Sequence, residues 1–269
     1  PLPDGTSYNA YLVRGAEKTA LIDTVDPPFA GTLFGNLKGV ERIDYVVANH
    51  AEQDHSGAIP AVLERFPMAQ VVTNAKCRDF LVELLAVSPG KFLVIEDGAK
   101  LPLGGKTLAF RLAPWVHWPE TMVTWLEEDQ ILFPCDLFGS HVATGQKMAS
   151  AEPRTLEAAK RYYAEIMMPF RPMVRKNLEM LASFAPALIA PSHGPIHDRP
   201  RQIVEAYRDW TSDAVKNEVV LPYVSMHGSV KVMTDHLVAA LERRGITVKV
   251  FDLPRTDIGA LAIALVDAA

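Results

Sequence analysis

The sequence predicts an α/β fold in two parts: a pair of β-sheets flanked by helices over residues 1–215, then the start of a doubly wound parallel sheet over residues 216–269. Three observations lead there. Short apolar runs come first and mix with helical periodicities later, an order that two sheets with outer helices satisfy. The pattern changes at Asn217, after which strand, polar loop, helix and strand follow in the order of a right-handed parallel crossover. The length of 269 residues, 49% hydrophobic and 22% charged, admits one large or two smaller globular domains.

The elements follow in order. Residues 7–14 and 19–25 alternate like strands around Gly15-Ala16-Glu17-Lys18, which predicts a hairpin. Ile43–Ala48 is a short apolar run, read as a buried strand, and Ala58–Phe66 is a helix. Gln70–Thr73 (strand), Lys76–Ala86 (helix), Phe92–Ile95 (strand) and Thr107–Ala113 (strand) come next. Met122–Leu126 and Gln130–Pro134 form a second hairpin, turning at Glu127-Glu128-Asp129. Thr155–Met167 and Met173–Phe184 have helical periodicity, Leu188–Pro191 is a short strand, and Arg201–Val215 is a helix. Beyond Asn217 come strand Glu218–Val224, loop Ser225–Ser229, the amphipathic helix Val230–Arg243 ended by Gly245, and strand Thr247–Phe251.

The chemistry concentrates in His50-Ala51-Glu52-Gln53-Asp54-His55-Ser56-Gly57, which follows the strand at 43–48. Two imidazoles and two carboxylates within six positions are the mixed N and O donors that a pair of borderline metal ions needs. Three further residues stand where a strand gives way to a loop, the place where site residues collect on a layered scaffold: His117, Asp136 and His193. One such histidine alone would be ordinary, but three beside a four-donor string indicate a metal site. His141, His197, His227 and His236 are read as surface or outer-shell residues, with His141 and His197 in reserve. Trp118 is expected to pack under His117, and Cys77 to be a core thiol.

The order His-x-Glu-x-Asp-His, then His117, Asp136 and His193, resembles the metallo-β-lactamase fold and, more narrowly, the flavodiiron proteins. Most hydrolases of that fold carry histidine where this chain has Glu52, and bind zinc. The resemblance also takes in Gly5-Thr6-Ser7-Tyr8-Asn9-Ala10-Tyr11 and the flavodoxin-like start after residue 216. It implies an αββα sandwich holding two irons: one on His50, Glu52 and His117, the other on Asp54, His55 and His193, with Asp136 bridging. Three carboxylates and a hydroxide would neutralise two divalent ions, whereas histidine at position 52 would leave a positive charge over. Hard oxygen donors mixed with imidazole suit iron, and zinc has no redox chemistry.

The resemblance further implies a tyrosine near the irons, for which Tyr163 is chosen, with Tyr162 beside it. It implies FMN, its phosphate cradled by backbone N–H groups and hydroxyls of Ser225-Met226-His227-Gly228-Ser229 at a helix N-terminus. Val230 departs from the family, which usually has threonine there. The implied activity is reduction of dioxygen to water or of nitric oxide to nitrous oxide. Electrons would come from a separate donor, such as a rubredoxin or a reduced flavin or deazaflavin system, and the enzyme would be a head-to-tail homodimer. The alternatives are a dizinc hydrolase, in which a metal-bound water is the nucleophile, and a redox sensor with a vestigial site.

Composition narrows the partners. Net charge is −5 and no basic run exceeds two residues, so neither nucleic acid nor a membrane surface is expected. Two cysteines, Cys77 and Cys135, make no disulfide framework. There is no apolar stretch of about 18 residues and no signal-peptide pattern, so cytoplasmic residence is the expectation. The chain starts without methionine and stops in the apolar run before Ala269, as a fragment trimmed at both ends would.

Overall fold

A computed structural model describes residues 2–268. The first sheet has the order β1 (Tyr11–Arg14), β2 (Thr19–Ile22), β3 (Tyr45–Val47), β4 (Gln70–Thr73), β5 (Phe92–Val94). Only its β1–β2 hairpin is antiparallel; β2 to β5 run parallel. The second sheet is built from β6 (Lys100–Pro102), β7 (Thr107–Leu112), β8 (Met122–Leu126) and β9 (Ile131–Phe133), all antiparallel, with β10 (Leu188–Ile189) added parallel to β9.

Both sheets are covered on both faces, which explains their almost continuous apolar runs. Side chains alternate across a strand. Ala20, Ile22, Val47 and Val72 therefore point to the space between the sheets, where they meet Leu108, Phe110, Met122 and Phe133. Leu21, Val46 and Val71 point outward onto α1 (Ala30–Asn36), α3 (Ile59–Arg65) and α4 (Ala75–Leu85), through Leu33, Ile59, Val62, Cys77 and Leu81; between α1 and α3 lies the single turn α2 (Gln53–Ser56). On the far side Ala109, Val123, Trp125 and Leu132 meet α5 (Thr155–Tyr162), α6 (Arg171–Leu181) and α7 (Pro200–Trp210). The result is the helix–sheet–sheet–helix sandwich implied by the resemblance.

A separate parallel pair follows: β11 (Glu218–Tyr223) and β12 (Thr247–Asp252), joined through α8 (Ser229–Glu242). The last helix, α9 (Ile258–Asp267), packs back on the sandwich. Val266 joins its core, Lys160 pairs with Asp267 at 2.9 Å, and Arg161 pairs with Asp257.

The differences from expectation have local causes. The helix expected over 155–167 ends at Tyr162, widens into a π-turn over Tyr163–Met167 and tightens into a 3₁₀ turn before α6. Pro169, in that 3₁₀ turn, cannot donate its backbone nitrogen to a preceding α-turn. The helix expected over 201–215 stops at Trp210. Elements not anticipated include α1, whose Gly31 and Gly35 weaken a helical signal, the single turn α2 within the donor-rich loop, the three-residue β6, and α9.

Candidate metal centre

Each candidate ligand follows the end of a strand. His50 and Glu52 lie in the loop after β3, and α2 carries Asp54 and His55 on one four-residue turn. His117 follows β7, Asp136 follows β9 and His193 follows β10. Gly57 closes the first loop where a side chain has no room: an added Cβ would lie 2.4 Å from the Gln53 carbonyl oxygen and from Pro27. Trp115, Cys135 and Phe138 take left-handed backbone angles (φ 65°, 54° and 70°) beside ligands His117 and Asp136. Non-glycine residues in that region carry strain of about 1–2 kcal/mol each, which clusters at functional sites.

Asp136 divides the seven side chains. Its Oδ2 is 3.0 Å from His50 Nε2 and 3.3 Å from His117 Nε2. Glu52 Oε2 lies 3.0 Å from His117 Nε2 and 3.9 Å from His50 Nε2. The other oxygen, Oδ1, is 2.8 Å from His55 Nε2 and 3.4 Å from His193 Nε2. Asp54 Oδ2 lies 3.3 Å from His55 Nε2 and 3.4 Å from His193 Nε2. Donors bound about 2.1 Å from one cation stand roughly 3–3.5 Å from each other. The structure thus brings all seven together as two donor sets sharing one carboxylate, each spaced for one ion.

The polar atoms support the same reading. His50 Nε2, His55 Nε2, Asp54 Oδ1 and Asp136 Oδ1 are buried without hydrogen-bond partners. Such an orphan costs about 1–3 kcal/mol, and a cation in each donor set would relieve the imidazole nitrogens and the Asp136 oxygen. Burial pushes the Asp136 carboxyl up, but the imidazoles of His55 and His50 outweigh it and hold the group well below the usual range. Burial likewise lowers His117, but Asp136 and Glu52 overcome it and raise it to about 10; His55 is raised to about 9, chiefly by Asp136. The carboxylates thus create a field that favours positive charge at the imidazoles, and metal ions would compete with those protons.

The surroundings orient the rings. His193 Nδ1 donates to the Ser7 carbonyl at 2.8 Å and lies 3.3 Å from Thr6 Oγ1. This leaves Nε2 as the ligating nitrogen. Thr6 Oγ1 also meets His141 Nδ1 at 2.9 Å, so His141 belongs to the shell behind His193. His197 is buried against the Phe138 carbonyl, whereas His227 and His236 are exposed. Trp118 packs edge-on against His50, with ring centroids 5.7 Å apart, rather than under His117.

The tyrosine assignment shifts by one residue. Tyr163 points into the outer core and donates to the Trp210 carbonyl at 3.1 Å, while Tyr162 packs 4.6 Å from the His141 ring and 5.7 Å from the His193 ring. Successive helical residues face about 100° apart, so only one of the pair can face the ligands. Sequence reasoning also missed Glu120, buried behind His50, and Asp23, which binds the backbone and side-chain nitrogens of Asn49. A carboxylate three positions after His117 was the available signal for Glu120.

The loop Ser225–Ser229 is carried by β11 and α8, not by the elements that carry the ligands. Gly228 adopts φ 84° at the start of α8, and Ser225 Oγ accepts from Lys231 N–H at 3.2 Å.

A sequence profile described as "ODP family beta lactamase" matches residues 6–194. A nitric oxide reductase of Moorella thermoacetica is 37% identical over 273 residues, covering 98% of this chain and 68% of its own length. The rubredoxin oxygen:oxidoreductase of Desulfovibrio gigas superposes with a TM-score of 0.94 at 32% identity, over 99% of this chain and 69% of that one. The flavodiiron protein of Giardia intestinalis gives 0.89 at 29% identity, over 97% and 66%. The chain spans 66% and 68% of the length of two curated relatives and 53% of the anaerobic nitric oxide reductase flavorubredoxin of Aliivibrio salmonicida.

Proposed function

The chain belongs to the flavodiiron protein family, and we propose from that premise that it is the diiron-bearing part of an oxidoreductase reducing dioxygen to water, nitric oxide to nitrous oxide, or both. The observation that carries the reading is the division of Asp136 between two donor sets, one of which includes Glu52 rather than a third imidazole.

His50, Glu52, His117 and Asp136 would hold one iron, and Asp54, His55, His193 and Asp136 the other. A pair of ferrous ions held there would supply two electrons, enough to join two nitric oxide molecules as nitrous oxide, while dioxygen would need two more from the donor to reach water. The protein's part is placement. Asp136, 1% exposed, keeps both donor sets on one carboxylate, while the side chains of Glu52 and Asp54 are 37% and 26% exposed and mark where a small molecule reaches the centre. His117 sits at the same opening. The remaining imidazoles are almost wholly covered, which excludes water from behind the ligands.

Residues 216–269 are assigned as the start of a flavodoxin-like domain that binds FMN. The loop from Ser225 to Ser229 offers backbone N–H groups to its phosphate. A separate protein or reduced deazaflavin would supply electrons, and a head-to-tail homodimer would bring the flavin of one subunit to the centre of the other. No helix among the described residues is long and apolar enough to cross a membrane. The hydrolase alternative is not favoured, because the matched relatives carry oxidoreductase names.

The test is anaerobic loading of the full-length protein with ferrous iron, followed by consumption of each gas with one reduced donor. Turnover of either gas supports the reading. Esterase or lactamase turnover with zinc, and no gas consumption with iron, would overturn it.

A further inference from the structure

Glu120 stands behind His50, and we infer that it is a positioning residue that sets this imidazole for its metal by accepting a hydrogen bond from Nδ1–H. The inference rests on the metal reading above and adds a member to it. The Glu120 side chain is fully buried. Its Oε1 accepts from the N–H of Ala51, the residue between ligands His50 and Glu52, at 3.0 Å. The same oxygen lies 4.0 Å from His50 Nδ1. Both Nδ1 and the second oxygen, Oε2, are buried without a partner, so a spare donor and a spare acceptor sit on neighbouring groups. Among the described residues Glu120 has no ion pair with lysine or arginine, and the His50 imidazole is its ionisable neighbour. A carboxylate buried in this way needs such a partner.

One loop assembles the arrangement. His117 supplies a ligand, Trp118 packs on the His50 ring, and Glu120 backs its other nitrogen. The loop is held by Asn74 Nδ2 donating to the Glu120 carbonyl at 2.6 Å, by Thr121 Oγ1 donating to the Trp118 carbonyl at 3.0 Å, and by Met122 N–H donating to the Asn49 carbonyl at 2.8 Å. An imidazole that donates Nδ1–H to a carboxylate presents Nε2 to the metal with raised basicity. His193 is backed instead by the neutral Ser7 carbonyl. These two ligands therefore differ in what stands behind them, a carboxylate for His50 and a neutral carbonyl for His193.

The experiment compares full-length wild type with Glu120→Gln, each loaded with zinc and challenged with a chelator. Glutamine keeps the length and an oxygen for Ala51 N–H but turns an amide nitrogen toward Nδ1, so a purely structural role survives the change. One of the two metals should bind roughly 10–100-fold more weakly and the other nearly as before, with the thermal midpoint of the metal-free protein unmoved. In dizinc wild type, NMR should show His50 protonated at Nδ1 with a slowly exchanging proton, displaced in the variant. Equal retention of both metals in the variant, equal weakening of both, or a wild-type His50 protonated at Nε2 would overturn the inference. The NMR readout stands even if the variant fails to fold. A wild type that takes up no metal overturns the metal reading, and the inference with it.

Discussion

The sandwich that carries the histidine and carboxylate cluster and the unit that follows it use the same strand, loop and helix to opposite ends. Between the two sheets Val47, Val72, Phe110 and Met122 are wholly covered. In β11 and β12 only Glu218 is buried, and Val232 and Met233 of α8 stand 69% and 70% exposed. The difference follows from how many elements close each core, two five-stranded sheets with outer helices against one two-stranded pair. Seven converging imidazoles and carboxylates are tolerable only where a complete core fixes them and a cation neutralises them.

Breaking the bridging carboxylate should have the largest effect. Asp136→Ala is expected to lose both metals, beyond the roughly 10–100-fold weakening typical of outer groups; retention of two tightly held metals on chelator titration would show that the bridge is dispensable. Glu52→His should come next, shifting preference to zinc and abolishing gas reduction with the far-ultraviolet circular dichroism unchanged. Full reductase activity in that variant would contradict the role given to its carboxylate.

The contrast in burial can be measured directly. Phe110→Ala, between the sheets, should cost about 3–5 kcal/mol of stability, while Met233→Ala should stay within about 0.5 kcal/mol. Similar midpoint shifts in chemical denaturation would erase the distinction between the two regions. Tyr163→Phe should cost about 1 kcal/mol through its buried bond to the Trp210 carbonyl and leave metal content alone.

The smallest expected effect is at the seam between the regions. Hydrogen bonds from Arg161 hold the Asp257 carboxyl at about 2. A carboxyl depressed in the folded state stabilises above its ordinary value near 3.8 and loses that contribution as pH falls toward about 2. Protection of the α9 amides relative to their intrinsic exchange rates should therefore fall over that window, and Asp257→Asn should remove this dependence.

Much of the sandwich and the side-chain cluster at its strand ends was legible in the sequence because burial and chemistry coincide there. His50, His117, Asp136 and His193 each follow an apolar run, so a period-two pattern points to the strand end that presents them. Glu120 was not legible: a single carboxylate in Trp118-Pro119-Glu120-Thr121 has no periodicity, and its meaning comes only from His50, far away in sequence. Nor could spacing decide between Tyr162 and Tyr163, since either fits an amphipathic helix and the choice depends on how α5 rolls onto the second sheet. In the C-terminal unit the elements were legible, but its loop carries no side-chain cluster comparable to the metal centre.

The most direct test of the central claim is an iron count on anaerobically loaded full-length protein with Mössbauer spectroscopy, in wild type and in Asp136→Asn. Two irons per chain are expected, magnetically coupled in wild type and uncoupled or lost when the bridge is changed. A single iron per chain, or two that never couple, would contradict it.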